Sequence, residues 1–108
     1  MIIKNFEMMP ITACGEGKGR QVFTGKNAML VANRLEKDAF IPLHSHPHEQ
    51  ITVMIKGSCV ATLGEEKAVV KPGDMILVEP NKQHGMLALE DGTEFVDVFS
   101  PIREDFLA

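Results

Sequence analysis

The regular spacing of turn residues is the feature that most limits how this chain can fold. Glycine or proline recurs about every eight to fifteen residues, with short apolar runs such as ITVMI and MILV between them. No long window repeats its apolar residues at helical spacing. Many short strands joined by turns are typical of an all-β sandwich or barrel. The sequence therefore predicts an all-β fold.

Apolar runs and the turns between them locate the predicted strands. These are QVFT, AMLVANRL, DAFIPLHSH, QITVMIKG, MILVEP, HGMLALE and TEFVDVFSP, together with a hairpin in SCVATLGEEKAVV. Residues 1–20 are predicted to form a loosely structured N-terminal arm. The tail, residues 101–108, is predicted to make a single helical turn or to cover a sheet edge. Without a linker or a repeat, residues 1–108 are predicted to form one domain.

Charge and composition exclude several classes of partner. The net charge is −4 and there is no basic block, so nucleic acid is not expected. No apolar run has transmembrane length, and the first ten residues do not resemble a secretion signal, so no membrane partner is expected. Cys14 and Cys59 match no metal or redox spacing, which predicts free thiols and a cytoplasmic location, with one disulfide between them as the alternative.

Three of the four histidines lie in the window HSHPHEQ, residues 44–50. His44 and His46 are two residues apart on an extended segment, so both imidazoles point the same way and one ion can bridge them. The alternative is a polar turn with exposed histidines. Gln50 has the same parity as this pair, whereas Glu49 has the opposite parity.

A second unusual group lies in TEFVDVF, where Asp97 shares a strand face with Phe95 and Phe99. An unpaired carboxylate among apolar side chains is costly to bury. Asp97 therefore requires a partner, a metal or a functional role.

Two blocks of this sequence resemble the two motifs of the cupin superfamily. The first is His44-x-His46-x-x-x-Gln50 followed by Gly57, and the second is Pro72-Gly73-Asp74, a short strand, Pro80 and His84. The chain departs from the family pattern at Gln50, where glutamate is usual. It also lacks the usual glycine between Pro80 and His84, and has Ala88 near the place of the usual asparagine.

The cupin resemblance implies a double-stranded β-helix, a jelly-roll-like barrel that is commonly dimeric, and a homodimer is expected here. It also implies one divalent transition metal (Ni, Zn, Mn or Fe) held by His44, His46, Gln50 and His84. Glu49 and His48 are the rival ligands. We expect Glu49 to face outward, with a lysine as its partner, and His48 to lie in a loop or to support a ligand.

The segment Asp97-Val98-Phe99-Ser100-Pro101-x-Arg103 looks like the ending of small single-domain cupins that act in pectin and alginate breakdown. This resemblance implies an enzyme that converts 4,5-unsaturated monouronates, small anionic sugar acids, to linear 5-keto sugar acids. In that role Asp97 is the acid and base, and Arg103 contacts the substrate. The expected pocket residues are Phe95, Phe99, Met54 and Met86.

Three alternatives stay open at this stage. Asp97 and Arg103 could form a plain salt bridge that pins the tail to the barrel. The same histidines would also serve a small metal-dependent dioxygenase. Finally, the barrel could bind a metal or a ligand without catalysing a reaction.

Overall fold

Ten short strands build the fold in this computed structural model, which describes residues 1–107. They are β1 (Thr12–Gly15), β2 (Lys18–Thr24), β3 (Met29–Leu35), β4 (Phe40–His44), β5 (Glu49–Lys56), β6 (Cys59–Leu63), β7 (Glu66–Val70), β8 (Met75–Val78), β9 (His84–Ala88) and β10 (Thr93–Ser100). The only helical segments of the described chain are two 3-10 turns, Phe6–Met8 and Glu104–Phe106. Within the same residues, no helix is long and apolar enough to cross a membrane. The predicted all-β class is confirmed.

The strands form two antiparallel sheets. The larger sheet has six strands in the order β1-β2-β3-β10-β5-β8, and the smaller sheet has four in the order β4-β9-β6-β7. Strands that are distant in sequence therefore lie side by side, as β10 does between β3 and β5. This order brings the first third of the chain next to its last strand.

Side chains alternate between the inside and the outside of the barrel along β5 and β10. The inward-facing positions are Gln50, Thr52 and Met54 on β5, and Thr93, Phe95, Asp97 and Phe99 on β10. The side chains between them are more exposed, because neighbouring residues on a strand point to opposite faces. The face that the sequence predicts for Gln50 and for Asp97 is confirmed.

Two apolar clusters fill the inside. One consists of Leu35, Met54, Cys59, Val70, Ala88 and Phe95, and the other of Met29, Val31 and Phe99. Met54, which we expected in the pocket wall, instead packs in the first cluster with only 1% of its surface exposed. Cys14 and Cys59 are both free thiols, so the alternative disulfide is not formed.

The prediction of a loose arm over residues 1–20 is wrong for its second half. Residues 12–20 lie in β1 and β2, which pair in register at Thr12↔Arg20 and Ala13↔Gly19. Backbone hydrogen bonds hold this hairpin, and Gly17 at φ +69° makes its turn, so few apolar side chains reveal it in the sequence. At the other end, the predicted helical turn of the tail is present at Glu104–Phe106, and Ala108 lies outside the described residues.

Candidate metal centre and active site

Three histidine rings converge at one point inside the barrel. His44 ends β4 and His84 begins β9, and the two residues are direct partners in the ladder. Their ring centroids are 4.2 Å apart, and His46 lies 4.8 Å from His84 and 5.6 Å from His44. One nitrogen from each ring lies within 4.8 Å of the other two. Three neutral imidazoles at this spacing could hold one divalent transition metal.

Backbone carbonyls set the tautomers of two of these rings. Nδ1 of His44 lies 2.8 Å from the carbonyl of Pro42, and Nδ1 of His84 lies 2.8 Å from the carbonyl of Lys82. Because a carbonyl only accepts, each Nδ1 donates and each Nε2 keeps its lone pair. Nε2 of His84 is buried and has no hydrogen-bond partner in the described part of the chain. A buried nitrogen with a free lone pair and no hydrogen-bond partner suits a metal ligand.

Burial also favours the form of histidine that binds metals. Burial lowers the pKa of His84 to about 4. It also lowers the pKa of His46, and the positive charge of Arg103 lowers that pKa further. A metal binds imidazole in its neutral form. Both rings are therefore available as ligands at neutral pH.

Gln50 presents its amide oxygen to the histidine cluster. Its Oε1 lies 3.0 Å from Nε2 of His46. Its amide nitrogen donates to Oγ1 of Thr52 at 2.9 Å and to Oδ1 of Asp97 at 3.3 Å. The nitrogen is thus turned toward Asp97 and the oxygen toward the rings. All four side chains that the cupin motifs single out as ligands, the three histidines and Gln50, meet in one place.

The two rival ligands lie outside this group. Glu49 is exposed and faces away from the barrel interior, as expected. Its expected lysine partner is absent, since no ion pair of Glu49 forms within residues 1–107. The His48 ring is 5.3 Å from that of His46, but His48 is not part of the three-histidine cluster.

Asp97 finds its partners on both neighbouring strands. Oδ1 accepts a hydrogen bond from Oγ1 of Thr52 at 2.6 Å, and Oδ2 accepts one from Nδ2 of Asn33 at 2.9 Å. Burial raises the pKa of Asp97 to about 6, although these hydrogen bonds act in the opposite direction. Sequence reasoning missed Asn33 and Thr52. The available signal was a polar residue at an inward position of an otherwise apolar strand.

Arg103 does not pair with Asp97, so the alternative of a salt bridge that pins the tail is wrong. Its Nη2 lies 3.0 Å from Oδ2 of Asp105, because the turn at Glu104–Phe106 brings that carboxylate back to the guanidinium. The Arg103 guanidinium lies 4.1 Å from the centre of the Phe106 ring and 5.2 Å from that of Phe99. Two aromatic rings thus hold Arg103 beside the site.

A cavity of about 220 Å³ joins these groups. Of the residues predicted for the site, those that line it are His44, Gln50, His84, Met86, Phe95, Asp97, Phe99 and Arg103. Its wall also includes Lys18 and Arg20, which sequence reasoning missed because they lie in the segment that the sequence predicts to be a loose arm. Three cations and a single carboxylate, Asp97, line this part of the described chain, which favours an anionic ligand. The small volume suits a compact ligand.

Comparison with known proteins places the chain among cupins. Residues 33–99 match the family model described as Cupin domain, Cupin_2. The chain is 35% identical over 100 residues to the pectin degradation protein KdgF of Dickeya dadantii, covering 91% of both proteins.

Two solved structures have the same architecture over nearly the whole chain. KdgF from Halomonas sp. matches with a TM-score of 0.91 at 27% identity, covering 94% of each chain. An RmlC-like cupin from Shewanella frigidimarina matches with a TM-score of 0.90 at 30% identity, covering 95% of this chain and 93% of that one. The predicted double-stranded β-helix is thereby confirmed.

Proposed function

The chain belongs to the Cupin_2 family, and from that premise we propose that it is a metal-dependent enzyme converting 4,5-unsaturated monouronates to linear 5-keto sugar acids. The relative from Dickeya dadantii is a pectin degradation protein, which supports a sugar acid as substrate. One observation carries the proposal. A single cavity brings together His44 and His84 of the three-histidine cluster, the buried carboxyl of Asp97 and three cationic side chains.

The cationic side of the cavity would bind the substrate. Arg103 offers a planar fork that suits a carboxylate, and its buried Nε has no hydrogen-bond partner within residues 1–107. Contacts with Phe99 and Phe106 restrict the motion of the guanidinium. Arg20 and Lys18 add positive charge at the same cavity. Together they would hold the carboxylate of a small sugar acid.

His44, His46, His84 and Gln50 would hold one divalent transition metal: Ni, Zn, Mn or Fe. When bound, this ion would supply a Lewis acid that offsets the negative charge developing on the substrate's enol oxygen. The rings are suited to this role, because their burial disfavours the protonated form.

Asp97 would move the proton in both halves of the reaction. Its carboxylate takes the proton from the hemiacetal hydroxyl at C1, the carbonyl forms at C1, and the bond between C1 and the ring oxygen breaks. The same carboxyl then returns a proton to C4, and the enol becomes the C5 ketone. No atom is gained or lost, so the step is an isomerisation. The pKa of about 6 that burial gives Asp97 suits a group that both takes and returns a proton.

The test is to incubate the metal-loaded protein with unsaturated galacturonate and to follow the loss of the alkene absorbance. We expect a rate well above that of the spontaneous reaction. Asp97→Asn should lower kcat by about 10²–10⁴-fold while the metal stays bound. Glu49→Gln, which alters an exposed carboxylate on the opposite strand face, should leave the rate unchanged. If the fully metal-loaded protein reacted no faster than the spontaneous reaction, the proposed activity would be wrong. If it consumed oxygen, the dioxygenase would be favoured instead.

We also propose a cytoplasmic location and a homodimer. The two free thiols of Cys14 and Cys59 support the location, because reducing compartments keep cysteines unpaired. The small size of the chain supports assembly, since a short domain buries only a modest core by itself.

A further inference from the structure

The three cationic side chains that line the cavity differ in the partners they already have. Nζ of Lys18 donates to the carbonyl oxygen of Phe40 at 2.9 Å. Nη2 of Arg103 pairs with the carboxylate of Asp105 at 3.0 Å. Arg20 forms no ion pair within residues 1–107. Of the two arginines, Arg20 is therefore the one whose charge no carboxylate already matches.

The fold places Arg20 on the same side of the cavity as the buried carboxyl. Arg20 lies on β2, and its direct ladder partner on β3 is Asn33. Directly paired residues point to the same face of a sheet, so both side chains face the cavity. Nδ2 of Asn33 in turn donates to Oδ2 of Asp97 on β10 at 2.9 Å. Arg20 thus reaches the cavity from the strand next but one to that of Asp97.

One aromatic ring contacts both arginines. The guanidinium carbon of Arg20 lies 3.9 Å from the centre of the Phe106 ring, and that of Arg103 lies 4.1 Å from it. Two guanidinium groups do not fit over one face of a phenyl ring at this distance, so they lie on opposite faces. Phe106 is itself held edge to face against Phe99, with the ring centres 5.9 Å apart. The ring therefore keeps two cations at fixed places on either side of it.

This separation determines what kind of ligand can use both arginines. A single carboxylate is too small to span the ring, so it does not hydrogen bond to Arg20 and Arg103 together. The two guanidinium groups would therefore bind different oxygens of one ligand. A guanidinium only donates hydrogen bonds, so the second group must be an acceptor, such as a hydroxyl oxygen. A compact acid with hydroxyl groups fits this requirement.

We propose that Arg20 is a substrate-binding residue that donates to a ring hydroxyl of the sugar acid, while Arg103 binds its carboxylate. Phe106 is the positioning residue that holds the two guanidinium groups apart. This inference rests on the proposed function, because it takes a sugar acid as the ligand. The charge of Arg20 attracts any carboxylate, but its hydrogen bond favours a hydroxylated acid over a plain one.

Two ring acids that differ in their hydroxyl groups test this role of Arg20. Galacturonate carries ring hydroxyls, whereas cyclohexanecarboxylate has the carboxylate alone. NMR titration of the Zn²⁺-loaded full chain measures the dissociation constant of each. Arg20→Lys keeps the charge but loses the planar donor group. It should raise the dissociation constant of galacturonate about tenfold and change that of cyclohexanecarboxylate less than about twofold.

Arg34→Lys is the matched control for this substitution. Arg34 is the neighbour of Asn33 on β3 and therefore points to the outer face of the sheet, where it pairs with Glu94 at 2.9 Å. The same change from arginine to lysine should leave the dissociation constants of both acids unaltered.

Variants of Phe106 test its positioning role. Phe106→Leu removes the ring that both guanidinium groups contact, so it should weaken the binding of both acids about fivefold or more. Phe106→Tyr keeps the ring and should restore both dissociation constants to the wild-type values. If Phe106→Leu bound both acids as the wild type does, Phe106 would not be a positioning residue.

The pattern of binding separates this inference from the proposed function. A wild type that does not bind galacturonate would overturn the role of Arg20, and so would an Arg20→Lys variant that weakens both acids equally or neither. If the selective loss occurred in a protein without turnover of unsaturated galacturonate, the role of Arg20 would stand and the proposed activity would be wrong. Turnover without the selective loss would show the reverse.

Discussion

At the scale of single residues, the carboxylate of Asp97 determines which way the side-chain amide of Gln50 is turned. The Thr52 hydroxyl has one proton and gives it to Oδ1 of Asp97. Thr52 therefore accepts from Gln50, and the amide nitrogen of Gln50 must face both groups. This leaves the amide oxygen of Gln50 toward His46. A carboxylate that does not touch the histidines thus orients a candidate metal ligand.

Asp97 also predicts how the stability of the metal-free protein depends on pH. Its folded pKa of about 6 lies above the ordinary 3.8, so its contribution to folding is complete below pH 4 and is lost as pH rises through 6. Asp97→Asn removes this loss. Between pH 4 and 7, the unfolding free energy of the wild type should fall relative to the variant by up to about 3 kcal/mol. Urea unfolding in the presence of a chelator measures the difference.

Taking the difference in unfolding free energy between the wild type and Asp97→Asn cancels the pH dependence that His84 contributes. Burial lowers the pKa of His84 to about 4, so its contribution is present above pH 6.5 and is lost as pH falls through 4. That change has the opposite sign and a similar pH range, but wild type and variant share it. A difference that stays flat from pH 4 to 7 would show that Asp97 keeps an ordinary pKa.

At the scale of elements, the contact between β4 and β9 positions two of the three rings. His44 and His84 are ladder partners on these strands, so the distance between the strands sets the distance between the rings. Gly85 is the neighbour of His84, and a Cβ there would lie 2.8 Å from the carbonyl oxygen of Ile41 and 3.3 Å from the Leu43 nitrogen. Backbone atoms of β4 would have to move to accommodate it.

Gly85→Ala should therefore separate the two strands at the metal site. We expect it to lower the unfolding free energy by about 1–3 kcal/mol and to weaken metal binding more than tenfold. Gly25→Ala is the control, since a Cβ there meets only the Ala28 oxygen, at 3.4 Å. Calorimetric titration with Zn²⁺ measures affinity for both variants. Equal affinities in wild type and Gly85→Ala would show that β4 adapts without disturbing the rings.

The elements differ in how clearly the sequence marks them. The strands β3 to β10 carry apolar runs or alternating patterns between turn residues, and all of them are predicted. The hairpin of β1 and β2 is missed over residues 12–20, because its stability comes from backbone pairing and from a glycine turn. Because this hairpin is not predicted, its residues Lys18 and Arg20 are not predicted to line the cavity.

At the scale of the whole molecule, a bound metal should hold the two sheets together. His44 and His84 belong to the four-stranded sheet and Gln50 to the six-stranded sheet. A metal at 100 times its dissociation constant adds about 2.7 kcal/mol to the unfolding free energy. The melting temperature should then rise by about 10 °C or more when Ni²⁺ or Zn²⁺ is added to chelator-treated protein. Differential scanning calorimetry measures this shift.

Two matched variants would test which histidines are needed for the metal to stabilise the folded protein. His84→Asn removes a ring of the cluster and should abolish the shift in melting temperature. His48→Asn changes a ring outside the cluster and should keep it. If His48→Asn also lost the shift, His48 would have to be counted among the ligands.

The resemblance to the cupin motifs implied the four candidate ligands. The sequence alone determined the all-β class, most strands, and the inward face of Asp97 and Gln50. These follow from local rules, because turn residues and the two-residue alternation of a strand act over a few positions. Only the tertiary structure decided the partners of Asp97, the Arg103–Asp105 pair, the place of Met54 in the core, and the cations at the cavity. The physical reason for most of these is sheet order, since β2, β3, β10 and β5 are neighbours in space while far apart along the chain.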